Sequence, residues 1–213
     1  MLITHHGHSE FLIETAEGFR ILTDPYDDHV GYGMREVECD AVTVSHGHGD
    51  HSYTKKVSGS AQIVDAAGSF APAEGVKITG IPCFHDDCGG AKRGPNVIYI
   101  IEAEGLRVAH FGDIGAWDEE LLKKLGKIDI ALIPVGGFFT IDAESAKQMI
   151  DVLKPRMVIP MHYRTDVNAG WPIAPLEGFL KAMNAVCTPM PLLRVTTGDL
   201  SQQPRVAVLA DKD

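Results

Sequence analysis

The stretch TVSHGHGDHSY, residues 43–53, concentrates metal-binding side chains in one turn that follows a short apolar run. The titratable members of the stretch are His46, His48, Asp50 and His51. The glycines between them lack a Cβ atom, so we expect them to adopt positive φ and allow a tight turn. Imidazole and carboxylate together are the usual ligands of zinc and similar divalent ions. The stretch therefore predicts a metal-binding loop at the end of a strand.

The spacing within the stretch suggests more than one ion. His46 and His48 are two residues apart, which lets both rings face one ion, while Asp50 and His51 are placed to face a second. A helical HExxH motif differs, because its histidines repeat at i and i+4. Four side chains cannot complete two sites, so further ligands must come from distant segments.

Three later predicted strands each end beside a candidate ligand. GIPCFHDD provides His85, RVAHFGDI provides Asp113 and VIPMHYRT provides His162. Rigid scaffolds place functional side chains on the loops beyond their strands. Each residue alone would more often be a hydrogen-bonded structural group. Together they supply the missing ligand chemistry at equivalent positions in the predicted topology.

Composition narrows the class of protein. The chain has 213 residues, of which 45% are hydrophobic and 23% charged, as in ordinary globular proteins. Its net charge of −10 argues against nucleic acid or an anionic membrane as a partner. No run approaches the roughly 20 apolar residues of a membrane span, and no signal peptide is recognisable at the N-terminus. Four scattered cysteines without a CxxC pair favour reduced thiols, so we expect a cytoplasmic protein.

The order of predicted elements indicates an α/β fold. Short β-rich runs fill the first half of the chain, and β-α units follow. Helical spacing predicts helices over 117–127, 142–154 and 174–186, with Asp142 as an N-cap, and a last strand in RVAVLA. Helices on both outer faces of a two-sheet core would give a four-layer αββα sandwich. Without repeats or linkers, residues 1–213 are expected to form a single domain.

At this point the sequence resembles the metallo-β-lactamase superfamily. SHGHGDH matches its HxHxDH signature, and the likeness continues through LTDP at Asp24, the lone His85, HFGD at Asp113 and IPMHY at His162. An N-terminal GHS and the phrase IDIALIPVGG are similar to small UlaG-like metal-dependent hydrolases. The resemblance covers residues 1 to about 165 and implies the same αββα fold.

The resemblance also implies a ligand set for two divalent ions. It assigns the first ion to His46, His48 and His85, the second to Asp50, His51 and His162, and the bridging position to Asp113. Zinc is the expected metal, with manganese or iron(II) as alternatives. The implied activity is that of a hydrolase in which a hydroxide bound by both metals cleaves a small ester, lactone or phosphodiester.

The catalytic residues expected on this basis are Asp50, Asp113 and His8. For His8 three roles stay open: lining the pocket, donating a proton to a leaving group, or completing the HHGHS turn. Asp24 is expected to accept a hydrogen bond from a ligand ring and so fix its orientation. Ser45 is interpreted as a cap of the loop backbone.

Several other residues lie near the predicted ligands in the sequence or resemble them in chemistry. Among the histidines, His110 is assigned a structural role, and His5, His6 and His29 are not expected to be ligands. Basic residues near the predicted ligands could bind an anionic substrate; these are Lys92, Arg93 and Arg164. For Lys92 and Arg93 a solvated loop charge is the favoured alternative. An apolar rim could be formed by Phe138, Phe139 and Tyr163, or these side chains could simply pack, and Cys88 is expected to be inert.

Three other functions remain open on the sequence. A nuclease of the same superfamily is disfavoured by the acidic charge and the absence of a basic arm. A redox di-iron protein is disfavoured because His48 is not replaced by an acid. A non-catalytic metal-binding or sensory module would be expected to lose a ligand, and the pattern is intact. The partner is expected to be a small, anionic substrate, while the oligomeric state is not readable.

Overall fold

A computed structural model describes residues 1–211. In chain order its strands are β1 Leu2–His5, β2 Phe11–Glu14, β3 Arg20–Thr23, β4 Val37–Glu38, β5 Ala41–Thr43, β6 Val57–Ser58, β7 Gln62–Val64, β8 Gly68–Ala73, β9 Val76–Phe84, β10 Pro95–Ala103, β11 Leu106–His110, β12 Ile130–Pro134, β13 Met157–Met161 and β14 Leu193–Arg194. The α-helices are α1 Glu119–Leu125, α2 Ala143–Leu153 and α3 Glu177–Ala182. Single 3₁₀ turns span Asp28–Val30, Thr54–Lys56 and Leu200–Gln202.

The strands form two mixed six-stranded sheets and a small pair. The first sheet has the order β14-β1-β2-β3-β5-β7, the second has the order β13-β12-β11-β10-β9-β8, and β4 pairs with β6. Antiparallel steps through β2 make β1 parallel to β3 and β5, and steps through β10 make β9 parallel to β11, β12 and β13. In each sheet, the carboxyl ends of these parallel strands therefore lie side by side at one end of the sheet.

The core lies between the two sheets and follows strand alternation. Ile3, Phe11 and Ile21 of the first sheet pack with Ile101 and Ile159 of the second, and all five side chains are fully buried. Because successive strand residues point to opposite faces, the intervening positions cover the outer faces. Burying this much apolar surface, at about 25 cal/mol per Å², is the main force that holds the two sheets together.

The outer layers of the sandwich differ. The three α-helices pack on the outer face of the second sheet, where Leu122, Met149 and Phe179 are buried against its strands. The outer face of the first sheet is covered instead by the β4–β6 region, with Val37 packed over Leu22 and neighbouring residues. The α/β two-sheet sandwich expected from the sequence is confirmed by similarity to a solved structure.

The predicted elements differ from the structure mainly at their ends. All three helices are present, with Asp142 capping α2 through a bond from the Ser145 amide, but α3 is shorter than predicted. The last predicted strand is not a regular strand, because RVAVLA makes only isolated bridges such as Val158 to Val206. The predicted domain extends to residue 213, and residues 212 and 213 lie outside the described part.

Two bulk predictions can be compared with the structure. All four cysteines are free thiols. Among residues 1–211, no helix has the length and apolar character needed to cross a membrane.

Candidate metal centre

The predicted site residues lie just beyond the carboxyl ends of strands from both sheets. Asp24 follows β3, the HGHGDH loop follows β5, His85 follows β9, Asp113 follows β11 and His162 follows β13. Since these strands end at common edges, their loops converge on one region. The topology therefore brings together side chains that are more than 100 residues apart in sequence.

The first group of side chains consists of His46, His48 and His85, whose ligand atoms all lie within 4.8 Å of one another. His46 Nε2 is 3.0 Å from His48 Nδ1, and the His85 ring is 4.7 Å from the His46 ring, centroid to centroid. Two nitrogens bound to one tetrahedral zinc at about 2.0–2.1 Å lie about 3.3 Å apart. The spacing of this group therefore fits one cation.

The second group consists of Asp50, His51, His162 and also His8, again within 4.8 Å. Asp50 Oδ2 lies 3.5 Å from His51 Nε2 and 3.3 Å from His8 Nε2. The His8 and His162 rings pack with centroids 4.2 Å apart. The structure thus places His8 beside the predicted second set of ligands. Which of its three expected roles it plays stays a prediction.

Asp113 lies between the two groups. Its Oδ2 is 3.3 Å from His85 Nε2 and 3.3 Å from His162 Nε2, while its Oδ1 is 3.3 Å from His51 Nε2. His85 belongs to the first group, and His51 and His162 belong to the second. A carboxylate with one oxygen near both groups has the position that the sequence analysis predicts for a bridging ligand.

Buried polar atoms without partners test whether cations fit here. Asp113 Oδ1, His51 Nε2 and His162 Nε2 are buried and have no hydrogen-bond partner in residues 1–211. His51 Nε2 lies 3.3 Å from Asp113 Oδ1 and His162 Nε2 lies 3.3 Å from Asp113 Oδ2, yet neither contact is a hydrogen bond. A buried polar atom left unpaired costs about 1–3 kcal/mol. Atoms that converge in this way are satisfied together by a cation, so the residues fit the predicted metals.

Hydrogen bonds to Asp24 and Ser45 fix the orientation of two ligand rings. Ser45 Oγ donates to Asp24 Oδ2 at 2.5 Å and therefore accepts from His46 Nδ1 at 2.9 Å. His51 Nδ1 donates to the same carboxylate oxygen at 2.8 Å. Both rings then carry their proton on Nδ1 and turn Nε2 towards the site. These bonds agree with the role predicted for Asp24, whereas Ser45, predicted to cap the loop backbone, bonds Asp24 and His46 instead.

The charges of the site suit metal ligands. Burial, together with the neighbouring His51, lowers the pKa of His46 to about 3, so its ring is neutral. Burial alone would raise the pKa of Asp113, but the surrounding rings, His162 first, hold it well below its usual value. Metal ligands must be neutral imidazole and ionised carboxylate. Burial alone would lower the pKa of His51, but the carboxylates of Asp113 and Asp50 outweigh burial and raise it. A cation would therefore displace a proton from this ring.

The backbone is strained at three positions in the site. His8, Asp24 and His162 have φ values of 53°, 40° and 52°, in the left-handed region that non-glycine residues avoid. Such residues cost about 1–3 kcal/mol each and persist only where the surroundings hold them. One restraint is direct, because the His162 amide donates to the His8 carbonyl at 3.0 Å.

The two glycines of the motif do not behave as predicted. Neither Gly47 nor Gly49 is among the positive-φ residues of the described chain. At Gly47 a Cβ atom would meet nothing within 4 Å, whereas at Gly49 it would lie 2.6 Å from Asp27 Oδ2. The expectation of positive φ is therefore wrong. Gly49 instead leaves room for a neighbouring carboxylate.

Glycines elsewhere allow the loops to approach one another. A Cβ atom on Gly115 would lie 2.4 Å from the Asp86 amide nitrogen, and one on Gly136 would lie 2.2 Å from the His162 carbonyl oxygen. Asn96 also supports the site, since its buried side chain accepts from the Asp113 amide at 3.0 Å. None of these residues was singled out from the sequence, where only the GDIG and PVGG phrases hinted at close backbone contacts.

A cavity of about 280 Å³ opens onto the candidate metal centre. Its lining residues are His29, His48, Asp50, His85, Arg93, Asp113, Phe139 and Trp171. A larger depression of about 580 Å³ is lined by the turns around Gly18, Gly75 and Glu104. Those turns precede β3, β9 and β11, so they lie at the opposite edge of the sheets. Of these two cavities, only the smaller one is lined by predicted metal ligands.

The remaining sequence candidates are distributed unevenly around this cavity. Arg93 and Phe139 line it, whereas Lys92 pairs with Asp87 at 3.1 Å. Arg164 is exposed and Tyr163 is buried in the core beneath the helices. Cys88 donates its thiol to Asp86, and Phe138 packs on Phe139.

The other histidines have their own partners. His110 Nε2 donates to the Ser9 carbonyl at 2.8 Å, and its Nδ1 accepts from the Gly112 amide, so neither nitrogen is free. His5 contacts Asp211 and the His8 carbonyl, and His6 contacts Glu10. His29, which no sequence pattern placed near the site, lines the cavity.

Comparisons with known proteins agree with the geometry. Residues 2–162 match a family model described as the beta-lactamase superfamily domain. A UPF0173 metal-dependent hydrolase of Thermococcus onnurineus is 34% identical over 194 residues, which cover 78% of this chain and 84% of the relative. The corresponding protein of Thermococcus kodakarensis is 33% identical over 194 residues, with the same coverage.

A solved structure extends the likeness to nearly the whole chain. It is that of a Thermotoga maritima protein classed as a Zn-dependent hydrolase of the metallo-beta-lactamase superfamily. The two chains are 33% identical, superpose with a TM-score of 0.79, and cover 98% of this chain and 97% of that one. The chain therefore belongs to the beta-lactamase superfamily, and within it to the UPF0173 family of metal-dependent hydrolases.

Proposed function

We propose that the protein holds two divalent cations and hydrolyses a small ester, lactone or phosphodiester. The observation that carries this proposal is the position of Asp113. Its two oxygens lie 3.3 Å from ring nitrogens of both histidine groups, and Oδ1 is buried without a hydrogen bond. One cation would leave half of these converging atoms unsatisfied, whereas two would satisfy both groups.

The ligand chemistry supports zinc as the resident metal. His46, His48 and His85 would hold the first cation, Asp50, His51 and His162 the second, and Asp113 would contact both. Imidazole with a few carboxylates suits zinc, and manganese or iron(II) are the alternatives according to supply. When bound, such cations lower the pKa of water towards neutrality and polarise the bond that breaks.

The protein side chains orient and receive protons around this centre. Asp24 and Ser45 hold the Nε2 atoms of His46 and His51 towards the site. Asp50 lines the cavity, so its carboxylate can accept a proton from the attacking water. His8 Nε2 lies 3.3 Å from Asp50 Oδ2, and we assign to it the role of positioning that oxygen.

The size and charge of the site favour a small substrate. A cavity of about 280 Å³ is at the lower end of small-molecule sites. The net charge of −10 gives no attraction for a polyanion, so we infer that neither nucleic acid nor a membrane surface is the partner.

Metal content and turnover, measured together, test the proposal. Protein purified without chelator is analysed for metals and assayed with chromogenic esters, lactones and phosphodiesters, before and after chelation and zinc replacement. We expect turnover that requires metal and is abolished in Asp113→Ala. Asp65→Ala, which alters an exposed aspartate at the end of β7, serves as the control and should stay active.

Two results would contradict the proposal. Near-normal turnover by Asp113→Ala would remove this residue from the centre. A fully metal-loaded protein that hydrolyses none of the three substrate classes would favour the metal-binding or sensory alternative.

A further inference from the structure

Four side chains form a continuous row along the cavity, which we call the rim row: Arg93, Phe139, Trp171 and His29. The Arg93 guanidinium lies 5.7 Å from the centre of the Phe139 ring. Phe139 meets Trp171 edge to face at 6.2 Å, and Trp171 stacks on His29 at 5.3 Å. All four line the same cavity as Asp113 and the predicted ligands. The row therefore offers an apolar middle and a cationic end to whatever enters.

The loop that carries Arg93, the cation of the rim row, is held by hydrogen bonds to one buried carboxylate. The buried Asp86 carboxylate accepts hydrogen bonds from the backbone amides of Cys88, Gly90, Lys92 and Arg93, at 2.8–2.9 Å. Because Asp86 directly follows His85, the loop is anchored to the candidate metal centre itself.

Arg93 has hydrogen-bonding capacity to spare. Its Nη2 donates to the Phe138 carbonyl at 2.9 Å, which uses one of the five donors of a guanidinium. Among residues 1–211, no carboxylate forms an ion pair with this guanidinium, although Asp86 accepts from the Arg93 backbone amide. Lys92, the adjacent cation, is exposed and neutralised by Asp87. Of this basic pair, Arg93 is the one that is both half-buried at the cavity and without a counter-charge.

We propose that Arg93 binds an anionic oxygen group, a carboxylate or a phosphate, on a small organic substrate whose apolar body lies against Phe139 and Trp171. Guanidinium matches the two oxygens of such a group in geometry and charge. The substrate class rests on the proposed function, since the opposite end of the ligand would reach the candidate metal centre. In a chain whose net charge is −10, Arg93 supplies positive charge at the rim of the cavity.

Binding of matched ligands tests this inference without requiring turnover. Zinc-loaded protein is titrated calorimetrically with phenylacetate, phenyl phosphate and the neutral 2-phenylacetamide. We expect both anions to bind at least about tenfold more tightly than the amide, as charge-assisted hydrogen bonds imply. Arg93→Gln should weaken the binding of both anions by about tenfold and leave the amide unchanged, and Arg93→Lys should restore only part of the lost affinity. Lys92→Gln removes the same charge one residue away and should change nothing.

The outcomes separate this inference from the proposed function. Equal affinity of the anions for the wild type and for Arg93→Gln would overturn it, as would the absence of anion binding to the wild type. A preference for only one of the two anions would identify the group that Arg93 recognises. A protein that shows Arg93-dependent anion binding yet hydrolyses no ester, lactone or phosphodiester would retain this inference and lose the proposed function.

Discussion

Asp24 controls two of the predicted metal ligands from outside the site. One of its oxygens accepts from both Ser45 Oγ and His51 Nδ1, and Ser45 in turn accepts from His46 Nδ1. Burial raises the pKa of Asp24, but the charges and hydrogen bonds of the rings, beginning with His110, outweigh it and hold the pKa below its ordinary value. A permanently ionised acceptor therefore sets the proton position on two rings.

The substitution Asp24→Asn should weaken metal binding while leaving the fold intact. The Ser45 amide donates to the other Asp24 oxygen at 2.8 Å, so an asparagine must turn its NH2 group towards one of these donors, which weakens the hold on the two rings. We expect zinc affinity to fall by about 10–100-fold, as when partners of metal-binding histidines are removed elsewhere. Competition with a chromophoric chelator measures the affinity. Asp65→Asn is the matched control, and unchanged affinity in Asp24→Asn would contradict this reading.

At the scale of single residues, the sequence predicts chemistry better than placement. The histidine and aspartate types at the motif, and the role of Asp24, follow from what metals require. His29 could not be placed, because it follows Asp27 in a segment without regular strands, whose path depends on Trp171, 142 residues later. At Gly49 a positive φ was expected, whereas it is contact with Asp27 that leaves no room for a side chain at this position.

At the scale of elements, close contacts between strand-end loops shape the site. The loop after β12 passes so near to the loop after β13 that Gly136 has no space for a side chain. Its carbonyl accepts from the Ala174 amide at 2.7 Å, which joins the segment before α3 to the same place. The position of His162 thus depends on contact between its own backbone and that of Gly136, which is not a predicted ligand.

Gly136→Ala should therefore disturb both stability and metal binding. The new methyl group would meet the His162 carbonyl, and overpacking of this kind costs about 1–3 kcal/mol. Gly178→Ala is the control, because a Cβ atom in α3 meets nothing within 4 Å and alanine favours helix by about 0.5–1 kcal/mol. Chemical denaturation and zinc titration of both variants measure the difference. A Gly136→Ala protein as stable as the wild type, with full zinc affinity, would refute the contact.

Elements with a strong local pattern were predictable, and those set by distant contacts were not. α2 was foreseen almost to the residue, because Asp142 caps it and an apolar face runs along it. β8 was missed, because GSFAPA contains glycine and proline and lies half exposed at a sheet edge. The final RVAVLA segment has a strand pattern, yet it joins neighbours only through isolated bridges.

At the scale of the whole molecule, burying neutral histidines couples folding to pH. Burial, reinforced by His162, lowers the pKa of His8 to about 3, and burial, reinforced by His51, does the same for His46. In the unfolded chain both rings take up protons near pH 6.5. Between about pH 6.5 and 3 the unfolded state therefore binds more protons, and stability falls as the pH falls.

We expect the metal-free protein to lose stability steadily from pH 6.5 to 4.5. Each of the two histidines contributes up to about 1.4 kcal/mol per pH unit. The raised pKa of His51 acts in the opposite direction, but its effect lies above pH 6.5. Thermal unfolding of chelator-treated protein across this range is the measurement, and His46→Gln should show a shallower decline. A melting temperature that stays level or rises towards pH 4.5 would contradict the neutral burial of these rings.

The general architecture was predictable because strand order, polarity and motif positions constrain one another. The sequence could show that Asp24, His51, Asp113 and His162 follow strands, and parallel strands bring their ends to one edge. It could not show that helices cover only one sheet, because the cover over the other consists of β4, β6 and loops without a periodic pattern. The rim row was equally hidden, since its members come from four separate loops.

The central claim is that Asp113 joins two cations held by two groups of histidines. Anomalous diffraction at the zinc absorption edge, from crystals of the zinc-reconstituted protein, tests it most directly. Our account predicts two peaks about 3.5–4 Å apart, one on each side of the Asp113 carboxylate. A single peak confined to one histidine group, or zinc bound away from Asp113, would contradict it.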